Sequence, residues 1–304
     1  MQKRERMVCL SVLLVSLASA VASGMVLQNG GAAWLLSFLR STHVVWQKPA
    51  AFGWFHLAFL GACVLLSLFF GIYGYRRGKT ITDRAVFFAG MLLLLMEHYK
   101  QLYSYFVLWG GEYDFGIFPF QFCSLPLYLY LAVPLLPEGR FKEVLYQFLA
   151  LFGTMGGCLV MAYPRFYPQL SICVHTMLWH TVMIAVGVLI LFSRGYGKRW
   201  EREVLPASGV FLASLLLGTT LNVVLAPMAE ISPNPLNLFY MSPYQSTYFL
   251  VVKDVWEACG WGAAMLCYIL LFVFVGATLV FVLSWLIRYF VSLWRLRKRK
   301  DEKN

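Results

Sequence analysis

The sequence predicts an all-α polytopic membrane protein, a bundle of about eight transmembrane helices. Seven would form the core and an N-terminal span would resemble a signal anchor, with both termini in the cytoplasm. Three observations carry this. First, 60% of the 304 residues are hydrophobic and 13% are charged, against about 25% charged in soluble domains. Second, the polar residues fall in blocks between apolar runs that reach or approach the ~20 residues needed to cross ~30 Å of hydrocarbon. Third, basic residues crowd every second loop, as orienting charges do. The net charge of +11 therefore reads as a topology signal, and no nucleic-acid partner is expected.

The spans lie at roughly 7–27, 51–75, 85–109, 117–137, 144–163, 170–193, 204–227 and 260–288. Lys3, Arg4 and Arg6 precede the first. Arg76, Arg77, Lys79 and Arg84 follow the second, Arg140 and Lys142 the fourth, and Arg194, Lys198, Arg199 and Arg202 the sixth. Arg288, Arg295, Arg297, Lys298, Arg299, Lys300 and Lys303 fill the tail. All of these fall on one side, which the positive-inside rule makes cytoplasmic. The basic start followed by Ala18-Ser19-Ala20-Val21-Ala22 also has the pattern of a cleavable signal peptide, a competing reading of the first span.

Three regions result: an N-terminal span with an outer interfacial segment over 1–50, the helix bundle over 51–290, and a basic cytoplasmic tail over 291–304. Segment 28–50 sets Trp34, Leu35, Leu36, Phe38 and Leu39 beside Arg40, the pattern of a helix lying on the membrane surface. Segment 228–259, with Pro233, Pro235, Pro243 and several tyrosines, is expected to cover the outer mouth, since aromatic residues favour the headgroup level.

The seven cysteines show no metal-ligand spacing and no CxxC pair, so neither a metal nor a disulfide framework is expected. No cofactor is expected either.

Polar side chains inside spans are rare because each costs several kcal/mol in hydrocarbon. Glu97, His98 and Lys100 lie on the third span, Gln121, Cys123 and Ser124 on the fourth, His175 and His180 on the sixth, and Asn222 near the outer end of the seventh. At ~1.5 Å per residue, Cys123 lies ~9 Å, His175 ~8 Å and His180 ~15 Å inside the outer ends of their spans. The groups thus share the outer half of the bilayer.

Each residue also has a plain structural explanation. Membrane cysteines are mostly inert, Glu97 and Lys100 at i, i+3 neutralise each other, and Trp179 with His175 suits an interfacial anchor. His98 suits a hydrogen bond between helices, and His43 and His56 read as surface or interface residues. Together, a thiol, imidazoles, a carboxylate and an ammonium at one depth point to acyl transfer with Cys123 as nucleophile. His175 or His180 would be its base; the two lie about 140° apart around the helix, so one of them would act. Gln121 lies about 160° from Cys123 and would contact a neighbouring helix instead.

The stretch Phe118-Pro119-Phe120-Gln121-Phe122-Cys123-Ser124-Leu125 resembles the Leu-Pro-x-x-Leu-Cys-Ser signature of the YwaF-like integral membrane proteins. Glu97-His98-Tyr99-Lys100 is similar to a polar patch upstream of that signature. His175 and His180 fall where the family has histidines, and the stretch from Asn222 to Pro243 is similar to its Asn-containing loop. The chain departs from many bacterial members in having Gln121 where they have histidine, which leaves no general base there. The animal relatives include an acyltransferase that remodels ether phospholipids, with a cysteine at the matching position.

The resemblance implies a cell-membrane acyltransferase moving a fatty acyl group between phospholipids and lysophospholipids through an acyl-Cys123 intermediate. Glu97, His98, Lys100, Gln121, Ser124 and Asn222 would bind substrate or support the site. Membrane lipids are the partners it implies; no protein partner is indicated. The alternatives are an intramembrane lipid hydrolase, with water as acceptor, an ion-coupled transporter using Glu97, Lys100 and the histidines as a relay, and a haem or metal protein with His98, His175 and His180 as ligands.

Overall fold

The computed structural model describes residues 1–230 and 232–301. Every regular element among them is helical, apart from a single bridge between Val45 and Gln169. The helices run α1 (Lys3–Gln28), α2 (Ala33–Ser41), α3 (Trp54–Arg77), α4 (Lys79–Tyr103) and α5 (Leu125–Ala132). There follow α6 (Arg140–Ala162), α7 (Leu170–Arg194), α8 (Trp200–Val224), α9 (Leu250–Cys259) and α10 (Trp261–Ser292). The last helix continues to Asp301. It therefore takes in most of the expected basic tail, whose residues 302–304 lie outside the described residues.

Six helices, α1, α3, α6, α7, α8 and α10, are long and apolar enough to cross a membrane. α4 has comparable length but carries Asp83, Arg84, Glu97 and Lys100. Burial ranks the helices. In their most apolar stretches, 78% of α6 and 72% of α7 are buried, against 6% of α1. A helix that is apolar all round and buried is a core helix. α6 and α7 therefore form the centre, and the others turn residues such as Leu65, Phe88, Leu216 and Phe274 outward, as lipid contact allows.

Glycine sets the closest approach of α3 to α7. A Cβ on Gly74 would stand 2.8 Å from the carbonyl oxygen of Leu189, so only a residue without a side chain fits there.

The fourth span differs from expectation. Instead of a helix over 117–137, the apolar helical stretch is Phe122–Leu135, which at ~1.5 Å per residue covers ~21 Å and falls short of the ~30 Å core. Proline is the reason. Pro119 lies in the turns before the helix, Pro126 sits in its first turn and Pro134 lies in the 3-10 turn that ends it. Proline suits a first turn but cannot continue a helix interior.

π-helical turns interrupt two long helices, at Leu149–Gly153 in α6 and Leu271–Ala277 in α10. Phe152 and Phe272 from those turns pack on Phe211 of α8 at 5.1 and 5.5 Å between ring centroids. Phe122 meets Phe211 and Phe272 edge-on at 5.8 and 5.4 Å. This aromatic cluster seats the start of the short helix.

Charges counted as loop signals fare differently at the basic end. Lys142 and Arg194 are buried, with 0% and 1% of their side chains exposed. Lys142 Nζ lies 2.8 Å from Asp83 Oδ2, and Arg194 Nη2 lies 3.2 Å from Asp83 Oδ1. The Tyr146 hydroxyl donates to Asp83 Oδ1 at 2.7 Å, and Arg194 also pairs with Glu143 at 2.7 Å. The cluster ties the start of α4 to the start of α6 and the end of α7.

At the opposite end, α2 lies on α4, with Leu39 buried and the Thr42 hydroxyl 2.7 Å from that of Tyr99. His43 is exposed and reaches the Tyr103 hydroxyl at 2.7 Å. His56 corrects the sequence reading: it is fully buried, with Nε2 2.8 Å from the Met161 carbonyl and Nδ1 accepting the Phe52 N–H. Residues 232–259 fold over this end and send Leu236, Leu238, Phe239 and Met241 into the core.

Candidate functional site

Cys123 occupies the 3-10 turn Phe122–Ser124 that opens the short helix. It is thus at the start of a helix rather than within one. The residue is partly buried against the main apolar core and its thiol is free. Its carbonyl accepts the indole N–H of Trp179, from α7, at 2.8 Å. Tyr240 and Tyr268 lie within electrostatic reach of its sulfur. Ser124 is buried beside it.

Behind Trp179 lies a polar cluster. Lys100 Nζ is 2.9 Å from Glu97 Oε2 and 6.0 Å from the Trp179 ring centre. Gln101 donates to Glu97 Oε1 at 2.7 Å and to the Ile117 carbonyl at 3.1 Å. His175 stacks on Trp179 at 5.4 Å and stands within electrostatic reach of Lys100 and His180. The Thr176 carbonyl lies 2.7 Å from His180 Nδ1. The Nε2 atoms of both histidines are buried without a hydrogen-bond partner.

The structure therefore brings Glu97, Lys100, His175 and His180 together and links them to Cys123 through Trp179. It does not bring an imidazole to the sulfur. Among the described residues no histidine hydrogen-bonds Cys123; the Trp179 indole bonds its carbonyl, and His175 stacks on that indole. His98 faces elsewhere: its Nε2 lies 2.8 Å from the Ser23 hydroxyl on α1. The helical repeat turns it about 200° from Lys100. Among the described residues, no three His, Cys, Asp or Glu side chains are grouped to hold a metal ion, and His98, His175 and His180 form no such set.

Gln121 and Asn222 have one task in common. Gln121 donates to the Asn237 carbonyl and accepts from Phe239 N–H, both at 2.9 Å. Asn222 accepts from Leu238 N–H at 2.8 Å and donates to the Leu238 carbonyl at 3.1 Å. Two side-chain amides thus satisfy the buried backbone of 237–239 as a neighbouring strand would. They hold Phe239 and Tyr240, at φ of 58° and 56°, against the cysteine turn. The Phe239 ring lies 6.0 Å from that of Phe122 and 2.8 Å from where a Gly218 Cβ would be.

Replacing Asn222 by Leu should strand the Leu238 N–H and carbonyl at a fully buried position. At about 1–3 kcal/mol per unsatisfied buried group, thermal unfolding of the detergent-purified variant should fall by several degrees. Limited proteolysis should cut first within 232–249. A protease pattern and melting curve identical to the parent's would show that the amide does not hold the loop.

Trp179, Tyr240, Tyr268 and Gln101 are the residues sequence reasoning did not assign to the site. Trp179 was legible only as an interfacial anchor, and nothing in the spacing of the tyrosines links them to Cys123.

Fold and site together define a polytopic, all-α membrane protein with a cysteine turn backed by a buried polar cluster. The chain belongs to the TMEM164 family, a transmembrane protein family whose model matches residues 51–291. The match takes in every site residue named above and begins after α1 and α2. No curated protein and no solved structure matches the chain.

Proposed function

We propose that this chain is an integral membrane acyltransferase that moves a fatty acyl group between membrane lipids through a thioester on Cys123. The observation that carries the proposal is the pair of unpartnered, buried Nε2 atoms on α7. α7 is also the helix whose Trp179 holds the Cys123 turn. A buried polar atom without a partner costs about 1–3 kcal/mol, and proton transfer during a reaction gives such atoms a use. The likeness of the cysteine signature to the YwaF-like proteins supports the same reading, and membership of the TMEM164 family, a transmembrane family, agrees with its membrane setting.

In the first step Cys123 Sγ attacks the ester carbonyl carbon while its proton passes to an imidazole Nε2. The bond to the glycerol oxygen breaks, and that oxygen takes the proton as the lysophospholipid leaves. An acceptor lysophospholipid hydroxyl then gives its proton to the imidazole and attacks the thioester. The C–S bond breaks and the thiolate recovers the proton. Tyr240 and Tyr268 supply hydroxyl donors for the charged oxygen of each tetrahedral intermediate, where fixed donors have their largest effect. Cys123 and one imidazole must approach around Trp179 during the cycle; catalytic hydrogen bonds commonly tighten only with substrate bound. The topology that accompanies this reading puts both termini in the cytoplasm and the cysteine turn in the outer half of the cell membrane.

The test is to incubate purified protein with phosphatidylcholine carrying a labelled acyl chain. The label should appear on the Cys123 peptide by mass spectrometry, leave it with hydroxylamine, and pass to added lysophospholipid. Label released only as free fatty acid would make water the acceptor and the protein a hydrolase. An unlabelled Cys123 in a preparation that still transfers acyl chains would remove the thioester from the mechanism.

A further inference from the structure

A pocket of about 340 Å³ opens at the basic end of the bundle, between α10 and the α7–α8 loop, lined by Gly197, Lys198, Trp285, Arg288, Tyr289 and Ser292. We propose that it binds the phosphate of an anionic phospholipid in the leaflet at that end of the protein. This site lies apart from Cys123 and does not depend on the acyltransferase reading.

The register of α10 builds one wall. Trp285, Arg288, Tyr289 and Ser292 are spaced i, i+3, i+4 and i+7 and so share one helix face. Trp285 and Tyr289 stack at 5.7 Å and are both about half exposed. Such amphipathic rings favour the headgroup level.

Gly197 builds the opposite wall. Its φ is 86°, and a Cβ there would stand 3.0 Å from Ser284 and 3.2 Å from the Trp285 backbone. The loop therefore reaches the helix only because it carries no side chain at that point.

The electrostatics favour an anion. Arg288 gives one guanidinium N–H to the Leu191 carbonyl, while its Nε is buried without a partner. Lys198 is exposed at the rim. Glu203 is a charged neighbour of Arg288. Its carboxylate is already taken by the backbone N–H groups of Gly197, Lys198 and Arg199, at 2.6, 3.1 and 3.2 Å. Two cations against one engaged carboxylate leave a positive charge facing the pocket. A volume near the lower end of small-molecule sites, ~300–1,000 Å³, suits a headgroup rather than a whole lipid.

The experiment is native mass spectrometry of the delipidated, full-length protein titrated with phosphatidylglycerol, phosphatidylcholine or inorganic phosphate. Phosphatidylglycerol should bind at clearly lower concentration than phosphatidylcholine. Lys198→Ala and Arg288→Gln should each weaken it about tenfold, the loss of one charge-assisted contact, with phosphatidylcholine unaffected. Because Arg288 also bonds Leu191, the exposed Lys198 variant decides the matter if R288Q fails to fold. Equal binding of the two lipids, or unchanged phosphatidylglycerol affinity in K198A, overturns the proposal. Displacement of phosphatidylglycerol by inorganic phosphate overturns the lipid assignment in favour of a soluble phosphate.

Discussion

Cys123→Ala should lower acyl transfer by about a thousandfold or more while leaving the protein folded. Removing a nucleophile from a group of residues that act as a unit costs nearly all of their joint effect. What survives comes from lipid binding and from the donors around the carbonyl oxygen. Cys123 is only partly buried and its sulfur has no hydrogen bond to a histidine, so the truncation removes one small atom from a packed turn. The melting temperature should therefore move by no more than a few degrees. Cys123→Ser retains the shape but replaces a thiol by a hydroxyl that needs a stronger base, so it too should be nearly inactive. His175→Gln and His180→Gln then separate the two imidazoles. The one that moves the proton should lower the maximal rate and remove a limb of the pH profile, whereas a merely structural one should lower stability instead. Wild-type transfer by C123A would leave the thiol without a role.

Asp83→Ala should be the most destabilising single substitution at the basic end. It would leave Lys142 and Arg194 buried without their shared carboxylate and Tyr146 without its acceptor. Breaking a buried ion pair from one side costs about 3–5 kcal/mol when the remaining charge is left uncompensated. Glu138, 2.8 Å from Lys142 Nζ, and Glu143, 2.7 Å from Arg194 Nη1, keep part of that compensation, so the loss should fall toward the lower end of this range. The unfolding midpoint in detergent should drop by on the order of 10 °C. A double variant, Asp83→Leu with Lys142→Met, should recover part of the loss, since apolar groups of similar volume often replace a buried pair without penalty. An Asp83→Ala midpoint within a degree or two of the parent's would mean that the carboxylate carries no such load.

The three charges of the basic end show where sequence patterns reach and where they stop. Lys142 and Arg194 were legible as positive charges on one side of the membrane, and Asp83 lies just ahead of the expected third span. Nothing in the chain announces that the three meet, since they are separated by 59 and 111 positions. The spans were legible because crossing hydrocarbon imposes a length and a composition on a helix before any neighbour is considered. The fourth span is the exception. Its composition is apolar enough, but the prolines at 119, 126 and 134 restrict the backbone, and whether they kink or end a helix depends on what packs around them.

The site divides in the same way. Cys123, Glu97, Lys100, His175, His180 and Asn222 stand out in one dimension because polar groups are costly at membrane depth. Their facing does not. Helical phase separated Gln121 from Cys123, and the structure gives that amide to the loop at 237–239 together with Asn222. The facing of His98 toward Ser23 depended on where α1 lies. The position of most apolar helices and the inventory of costly polar residues thus follow from the chain alone, since the bilayer acts on each segment independently, whereas the eight expected spans become six helices long and apolar enough to cross. Which of those residues meet, and that Trp179 rather than an imidazole touches the cysteine turn, follow only from how the helices rotate and pack. That rotation is set by distant partners such as Gly74 with Leu189 and Phe122 with Phe211 and Phe272.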